Sequence, residues 1–483
     1  MANQKPQAMN EGKQIKFGTS GWRGILAEDF TFDRVRIVAQ SIAEYLNQNG
    51  SEPARVIVGY DTRFLGKGFA DAVASVLAGN GIQIIGSTDP VPTPVVSFEI
   101  VNRKLSGGVT VTASHNPPEW NGLKFSPAWG GPALPETTRQ IEARANALLA
   151  DPKTIPSIDR AEAAAEGLWQ EERIGDAYRE KVSHLLNQSA FAEGKLRVAV
   201  DPFWGTSLGY LDRMLLEMGA TIDLIHNERN PNFGGIRPDP EGESLSDLIV
   251  KTREGNYDLG LATDCDADRF GILDRGGIPI VPNYIIALLV DYLVTDRKWS
   301  GKIARSVATS HLVDAVARHH RLEVIETPVG FKYIGELIAK NEILLGGEES
   351  GGISIRGHLP EKDGILTCLL VAEMVAKRKR SIRTMLDDLF QRVGAFFPMR
   401  RDLHLSEKGR ERVTALLKNP PTKIGGKKIL STSTIDGTKF FLEGGGWTLI
   451  RPSGTEPVVR IYVETSEEKE SELLAGACQA LIE

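Results

Sequence analysis

Continuous runs of aliphatic residues recur along the first three quarters of the chain in one order, repeated three times: a strand, a helix, a second strand, then a third strand ending in a polar loop. The first set is ARVIVGYD from Ala54, IQIIGST from Ile82 and GGVTV from Gly107, closing on TASHNP at Thr112–Pro117. The second is LRVAVDP from Leu196, TIDLIHN from Thr221 and YDLGLAT from Tyr257, closing on DCDADR at Asp264–Arg269. The third is ARSVAT from Ala304, LEVIET from Leu322 and EILL from Glu342, before GGEESGG at Gly346–Gly352. Runs of this kind are typical of parallel strands covered on both faces, and open α/β sheets take their ligands at the carboxyl ends of such strands. The three polar loops are therefore expected to face one cleft.

Beyond the third set, Ser381 is a helix N-cap, followed by Ile382, Met385, Leu386, Leu389, Phe390 and Val393 at helical spacing, with Pro398 shortly after. A boundary is expected near Phe397. The remainder has a different order of strand-like pieces and a closing helix, with RPSGTEP between WTLI and VVRIYVE, and reads as a smaller α+β domain. The expected domains are 1–172, 173–282, 283–397 and 398–483.

Composition narrows the class. With 41% hydrophobic and 25% charged residues, the 483-residue chain is ordinary globular protein with apolar surface for several cores. The most apolar candidate for a membrane helix, Tyr284–Val294, is short of the roughly 20 residues needed and carries Asp291. The polar start MANQKPQAMNEGK lacks the order of a secretory signal, and three scattered cysteines, Cys265, Cys368 and Cys478, suit a reducing cytoplasm. A net charge of −6 makes the surface a poor counterion for nucleic acid, so an anionic ligand has to be held by local basic groups. The run KRKR at Lys377–Arg380 follows an apolar helical stretch, where cations suit the C-terminal end, and reads as a solvated face.

Chemistry concentrates in the loops. Asp264, Asp266 and Asp268 alternate with the small Cys265 and Ala267, so three carboxylates can converge from one tight turn. They repel unless a cation joins them, and a hard divalent ion such as Mg²⁺ takes about six oxygens. The spacing excludes an EF-hand, whose sixth and twelfth positions need Gly and Glu and here are Arg269 and Arg275. Ser114, beside His115 and Asn116 with Pro117 and Pro118 stopping any helix, is expected to be exposed and rigid. A serine hydroxyl needs a base or metal to act as a nucleophile, and the hexapeptide alone fits an ST-turn equally well. RPSGTEP offers Arg451, Ser453, Gly454 and Thr455 as a phosphate grip, unless Arg451 merely pairs with Glu456. GGEESGG offers Glu348 and Ser350 to sugar hydroxyls, or is a flexible glycine hairpin.

In this order, GTSGWRG at Gly18, TASHNP, DCDADR, GEESGG and RPSGTEP closely resemble the motifs of the α-D-phosphohexomutase superfamily, and the resemblance runs from Gly18 to Pro457. It implies four domains around a central cleft, three similar α/β domains with mixed sheets and a smaller C-terminal α+β domain. It assigns Ser114 as the phosphoryl carrier, and Asp264, Asp266 and Asp268, together with Ser114, as ligands of one Mg²⁺ ion. Lys124 in NGLKF matches a proton-transfer lysine, and Arg23 and His115 match residues near the reacting phosphate. Glu348 and Ser350 match the sugar-hydroxyl loop, and Arg451, Ser453, Gly454 and Thr455 the clamp on the non-reacting phosphate. Arg269, Lys362 in EKDG, and Gly330 and Lys332 in TPVGFK match further substrate contacts.

The implied reaction relocates a phosphoryl group on a hexose phosphate through a hexose 1,6-bisphosphate, which is both intermediate and activator and must turn round before its other phosphate returns to Ser114. GEESGG with EKDG is more similar to glucose-preferring members; dual-specificity and glucosamine members more often carry His at the place of Gly352, and others Asn at that of Gly454, so a phosphoglucomutase is expected, with a phosphomannomutase or dual-specificity enzyme as the near alternative. A cytoplasmic monomer or homodimer with no nucleic-acid or membrane partner is expected, and the turning of the bisphosphate predicts a mobile C-terminal domain. A phosphatase with an aspartyl nucleophile at Asp264 would leave TASHNP and RPSGTEP without a role. A catalytically silent sugar-phosphate binder would not be expected to keep every residue the chemistry needs.

Overall fold

The computed structural model of the chain describes residues 14–18, 20–49, 53–151, 153–452 and 458–483. These form two compact units, one running to Gly175 and taking in Arg229–Pro238, the other comprising Asp176–Glu228 and Asp239–Glu483.

The first unit holds a seven-stranded sheet of β1 (Phe17–Gly18), β2 (Gly21–Ile25), β3 (Arg55–Tyr60), β4 (Gln83–Ser87), β5 (Gly107–Val111), β6 (Trp120–Pro127) and β7 (Trp169–Glu172). Their spatial order is β1-β2-β6-β5-β3-β4-β7. β3 runs parallel to β4 and β5, and β6 returns antiparallel beside β5. The aliphatic runs are buried as their continuity predicts. Val56, Val58, Val109, Val111, Leu123 and Phe125 share a core with Trp22, Phe30 and Phe69, whose rings meet at 4.7 and 4.8 Å through Phe30.

The second unit carries three sheets. β8 (Arg197–Asp201), β9 (Thr221–Leu224), β10 (Leu259–Thr263), β11 (Phe270–Asp274) and β12 (Ile278–Ile280) lie in the order β12-β11-β10-β8-β9. β13 (Lys302–Ser306), β14 (Val324–Thr327), β15 (Ile343–Glu348) and β16 (Gly352–Ile355) lie in the order β14-β13-β15-β16. In all three α/β sheets the first parallel strand is central, the second and third flank it, and the next strand returns antiparallel. The three polar loops of the repeat therefore occupy one topological position, the turn out of the third parallel strand.

The third loop is shorter than its sequence suggests. The strand continues through Gly346 and Gly347 to Glu348, and β16 starts at Gly352, leaving Glu349–Gly351 as the turn. The glycines serve close packing rather than flexibility. A Cβ on Gly346 would meet Ile334 Cγ2 at 2.2 Å, and one on Gly347 would meet Ile286 Cδ1 at 2.8 Å.

Ser381 caps the helix Ile382–Val393 through Thr384 N, and Ile382, Met385, Leu386 and Leu389 are its buried face. The KRKR reading needs correction at one residue. Arg378 ends the helix Gly364–Arg378 as expected, but its guanidinium is mostly buried and pairs with Asp291 and Asp296. Asp291 lies in the buried helix Pro282–Thr295, and its charge is what draws Arg378 inward. Burial alone would raise the Asp291 carboxyl, but Arg392, His320 and Arg378 outweigh it and hold it down at about 2. No helix among the described residues is long and apolar enough to cross a membrane.

The last sheet is antiparallel throughout: β17 (Phe397–His404), β18 (Lys423–Ile424), β19 (Lys427–Ser433), β20 (Thr438–Leu442), β21 (Trp447–Pro452) and β22 (Val458–Thr465), ordered β17-β22-β21-β20-β19-β18. Strict alternation divides its faces. Phe440, Leu442, Ile450, Ile461 and Val463 pack on Leu474, Cys478 and Ile482 of the closing helix Glu468–Ile482. Trp447, Leu449, Tyr462 and Phe441 cover Val307, Ala308 and Val329, just past the ends of β13 and β14. The buried Lys439 joins this second face, donating to Val307 O at 2.8 Å and lying 3.9 Å from the centre of the Trp447 ring.

Candidate active site

In the first unit, the turn from β5 to β6 holds Ser114 in the left-handed region at φ 53°. Thr112 Oγ1 accepts from Ser114 N at 2.8 Å, and Ala113 O accepts from Asn116 N at 3.1 Å, which closes the turn on itself. Beneath it lies Arg63, fully buried. Its Nη2 donates to the carbonyls of Ser114 and Asn116 at 2.5 and 2.6 Å, and its Nη1 to those of Pro117 and Trp120 at 2.8 and 3.1 Å. Asp61 steadies the guanidinium at 3.3 Å, and the Phe233 ring lies 5.0 Å from it. The loop's carbonyls are thus fixed by one cation.

His115 Nδ1 lies 3.2 Å from Ser114 Oγ, and Arg23 Nη1 on β2 donates to Asn116 Oδ1 at 2.6 Å. Lys124 sits on β6 opposite Thr110 and is mostly buried. Gly122 lets β6 close on the loop, since a Cβ there would meet Thr112 O at 2.5 Å. One expectation is corrected: Ser114 is 1% exposed rather than exposed. The flanking polar residues and prolines suggested a solvated turn, but the Arg63 contacts draw the loop against its own sheet.

The acidic loop in the second unit turns from β10 into β11 with Ala267 at φ 59°. Asp264, Asp266 and Asp268 are all buried, and each offers a carboxylate oxygen to a group whose members lie within 4.8 Å of one another. Main-chain contacts shape the turn. Thr206 N and Oγ1 donate to Cys265 O, Gly364 N to Ala267 O, and Arg269 N to Asp264 Oδ1. A Cβ on Gly364 would lie 2.2 Å from Arg269 O, so the glycine of EKDG is a requirement of this approach. Lys362 Nζ reaches Asp268 Oδ2 at 2.6 Å. Asp363 then caps the following helix through Leu366 N at 2.9 Å and accepts from Tyr178 and His358, both at 2.7 Å. A buried set of three hard oxygen donors fits a divalent cation.

The β15–β16 hairpin lies beside this loop: the nearest atom to a Cβ built on Gly351 would be Phe270 O at 3.4 Å. Glu348 is buried at the end of β15, and its Oε1 accepts from Gly330 N at 2.7 Å. Burial, reinforced by Glu349, pushes its carboxyl up to about 7 against the pull of the Gly330 N–H, Lys362 and Arg269. Ser350 is half-buried in the turn, and Lys332 opens the helix Phe331–Ala339 with its ammonium over the Tyr333 ring. A Cβ on Gly352 would meet Lys362 Cδ at 2.4 Å, so the lysine stem occupies the place of a side chain there. Within the second unit the acidic loop, EKDG and the Glu348 hairpin are thereby brought together.

Arg451, near the end of β21, donates from Nε to Asp436 Oδ2 at 2.9 Å. Ser453, Gly454, Thr455 and Glu456 lie outside the described residues. Sequence reasoning missed Arg63 and Asp436. The signal for Arg63 was the DTR triplet at the end of β3, on the same sheet edge as the Ser114 loop; Asp436 had only its place in a turn before β20.

Four mixed or antiparallel domains with one acidic metal-type loop define the class. The chain matches the phosphoglucomutase/phosphomannomutase alpha/beta/alpha domain I over residues 14–150, domain II over 176–277, domain III over 281–393 and the C-terminal domain over 406–478. It belongs to the phosphoglucomutase/phosphomannomutase family of the α-D-phosphohexomutase superfamily, and is an intramolecular phosphotransferase by that membership.

Its relatives carry three different names. It is 30% identical to a phosphoglucomutase of Komagataeibacter xylinus over 95% of this chain and 89% of that protein. It is 29% identical to a phosphoglucosamine mutase of Clostridium botulinum (strain 657 / Type Ba4) over 97% of this chain and 98% of that one. A solved structure from Thermus thermophilus, provisionally named a phosphomannomutase, shares 32% identity with a TM-score of 0.83, covering 98% of this chain and 99% of that one.

Proposed function

We propose that the chain is a phosphoglucomutase, interconverting glucose 1-phosphate and glucose 6-phosphate through a phosphorylated Ser114 and a hexose 1,6-bisphosphate. In the first half-reaction the P–Oγ bond at Ser114 breaks as a sugar hydroxyl oxygen bonds to phosphorus. Lys124 takes the hydroxyl proton, and His115, 3.2 Å from Ser114 Oγ, attends the oxygen left behind. Arg23, held by Asn116, contributes charge beside the loop. The second half-reaction reverses these bonds at the other end of the sugar, so the bisphosphate exchanges its ends in between.

Asp264, Asp266 and Asp268 would hold Mg²⁺, which would supply positive charge against phosphoryl oxygens. Glu348 and Ser350 read the sugar hydroxyls, Arg451 with Ser453, Gly454 and Thr455 grips the phosphate that is not reacting, and Arg269, Gly330, Lys332 and Lys362 add contacts. The bisphosphate serves also as activator, since it rephosphorylates Ser114 after any hydrolysis.

The observation that carries the glucose preference is Gly352, whose missing side chain is replaced by the Lys362 stem. The chain therefore has no side chain at 352, where dual-specificity and glucosamine members more often carry His. Relatives named phosphoglucomutase/phosphomannomutase and phosphomannomutase support a second reading, a phosphomannomutase or dual-specificity enzyme, with a glucosamine-preferring mutase behind it. Side-by-side kcat/KM for glucose 1-phosphate, mannose 1-phosphate and glucosamine 1-phosphate, with Mg²⁺ and a trace of each bisphosphate, separates them. A large glucose preference supports the proposal, and comparable values overturn it in favour of dual specificity.

A further inference from the structure

Asp436 stands between two parts of the site that no motif connects. Its Oδ2 accepts from Arg451 Nε at 2.9 Å and from Val329 N at 3.0 Å. The next amide, Gly330 N, donates to Glu348 Oε1 at 2.7 Å. One carboxylate oxygen therefore ties the guanidinium of β21 to the loop that fixes the Glu348 carboxyl. The approach is built in. Gly437 has φ +72°, and a Cβ there would lie 2.7 Å from Ile450 O and 3.0 Å from Arg451 Cβ, so only glycine lets the turn press this closely on β21. Lys439, two residues on, anchors β20 to Val307 O.

We propose that Asp436 is a positioning residue that couples capture of the sugar's phosphate end to the setting of the sugar-hydroxyl end. With Nε committed to Asp436 and no hydrogen bond from either Nη to another described residue, the Nη pair of Arg451 faces phosphate oxygens in an orientation that the bond at Nε fixes. A phosphate that draws on the guanidinium also loads the Asp436 bond to Val329 N, and through the adjoining peptide the contact between Gly330 and Glu348. The inference rests on the phosphate and hydroxyl roles given above to Arg451 and Glu348.

Hydrogen–deuterium exchange on the full chain tests it, with and without saturating glucose 6-phosphate, on the parent, Asp436→Ala, Asp436→Asn and Arg451→Ala. Without ligand, Asp436→Ala is expected to speed exchange at Val329 and Gly330 about 10-fold, Asp436→Asn by less, and neither to change the amides of β20–β22. With ligand, those two amides are expected to slow in the parent and not in Arg451→Ala. In kinetics, Asp436→Ala is expected to raise KM by about 10-fold while lowering kcat less, with partial rescue by Asp436→Asn. Unchanged exchange at Val329 in Asp436→Ala, or ligand protection that persists in Arg451→Ala, overturns the coupling. A parent without mutase activity would count against the substrate reading instead, and the ligand-free arm would still decide whether the latch exists.

Discussion

The Ser114 loop and the Asp264–Asp268 loop leave the third parallel strand of their sheets at the same topological point. Each has one residue in the left-handed region, yet they are held by opposite means. In the first, a buried cation lies on the main chain: Arg63 satisfies the carbonyls of Ser114, Asn116, Pro117 and Trp120. In the second, neighbouring hydroxyl and amide groups satisfy the main chain, and the cations, Lys362 and the buried Arg269, face the aspartate carboxylates. A loop that presents a hydroxyl keeps its charge in the frame. A loop that gathers an ion keeps its charge at the tip, where any bound metal must share it.

The largest expected effect removes the tip of the first loop. Ser114→Ala should lower mutase turnover by roughly four orders of magnitude, while the melting temperature stays close to that of the parent, because the frame does not use the hydroxyl. Retained turnover would show that the nucleophile lies elsewhere. Next comes the frame itself. Arg63→Met should cost about 3–5 kcal/mol of stability in chemical denaturation, since it strands buried carbonyls and leaves Asp61 buried without its closest cation. A loss below about 1 kcal/mol would mean that water or backbone relaxation replaces the guanidinium, and the contrast between the loops would fail.

Much of this contrast was out of reach of the sequence. The strands themselves were legible because GGVTV, YDLGLAT and EILL are buried on both faces, and continuous apolar runs betray such strands directly. The repeat located all three loops, and residue type alone identified the acidic site, since three alternating aspartates have few other uses. The DTR triplet marked Arg63 only as a residue at a strand end; its role stayed hidden because its partners are carbonyls some fifty residues away, and carbonyls leave no trace in side-chain identity. Ser114 was misread as exposed for the same reason. Gly346 and Gly347 looked like a flexible turn because their packing partners, Ile334 and Ile286, come from helices earlier in the chain. Local patterns report local structure, and these contacts are long-range.

The third loop of the repeat sharpens the comparison through pH. Glu348 is buried as deeply as the aspartates, but its closest donor is a neutral amide, and burial with Glu349 raises its carboxyl from 4.5 to about 7. Gly330 N–H, Lys362 and Arg269 oppose the rise without cancelling it. A raised carboxyl binds its proton more readily in the folded state. Its contribution to stability is complete below about pH 4.5 and is lost as pH rises through about 7. Glu348→Gln should therefore match the parent near pH 4.5 and exceed it by up to about 3 kcal/mol near pH 8, read as melting temperature against pH in ligand-free protein. Parallel profiles would mean that cations already balance this loop as they balance the frame around Ser114.

The smallest expected effect is the most direct on the acidic loop, because its sign is opposite to that of Arg63→Met. Asp266→Asn keeps the volume of the side chain and removes one of three buried charges whose ligand atoms lie within 4.8 Å of one another. Two buried cations, Lys362 on Asp268 at 2.6 Å and Arg269 beside Asp268 and Asp264, face these three carboxylates. In the presence of a chelator, relief of repulsion should leave Asp266→Asn about 1 kcal/mol more stable than the parent. Addition of Mg²⁺ should reverse the order: the parent gains stability through binding, and the variant, short of a charged ligand, should need roughly 10- to 100-fold more ion for the same gain. Melting curves of both proteins across a Mg²⁺ titration show whether they cross. A variant less stable than the parent in chelator would mean that the carboxylates are fully balanced by buried cations. The acidic loop would then be held by charge pairing much as the Ser114 loop is, and the difference between the two would reduce to which atoms receive the cation.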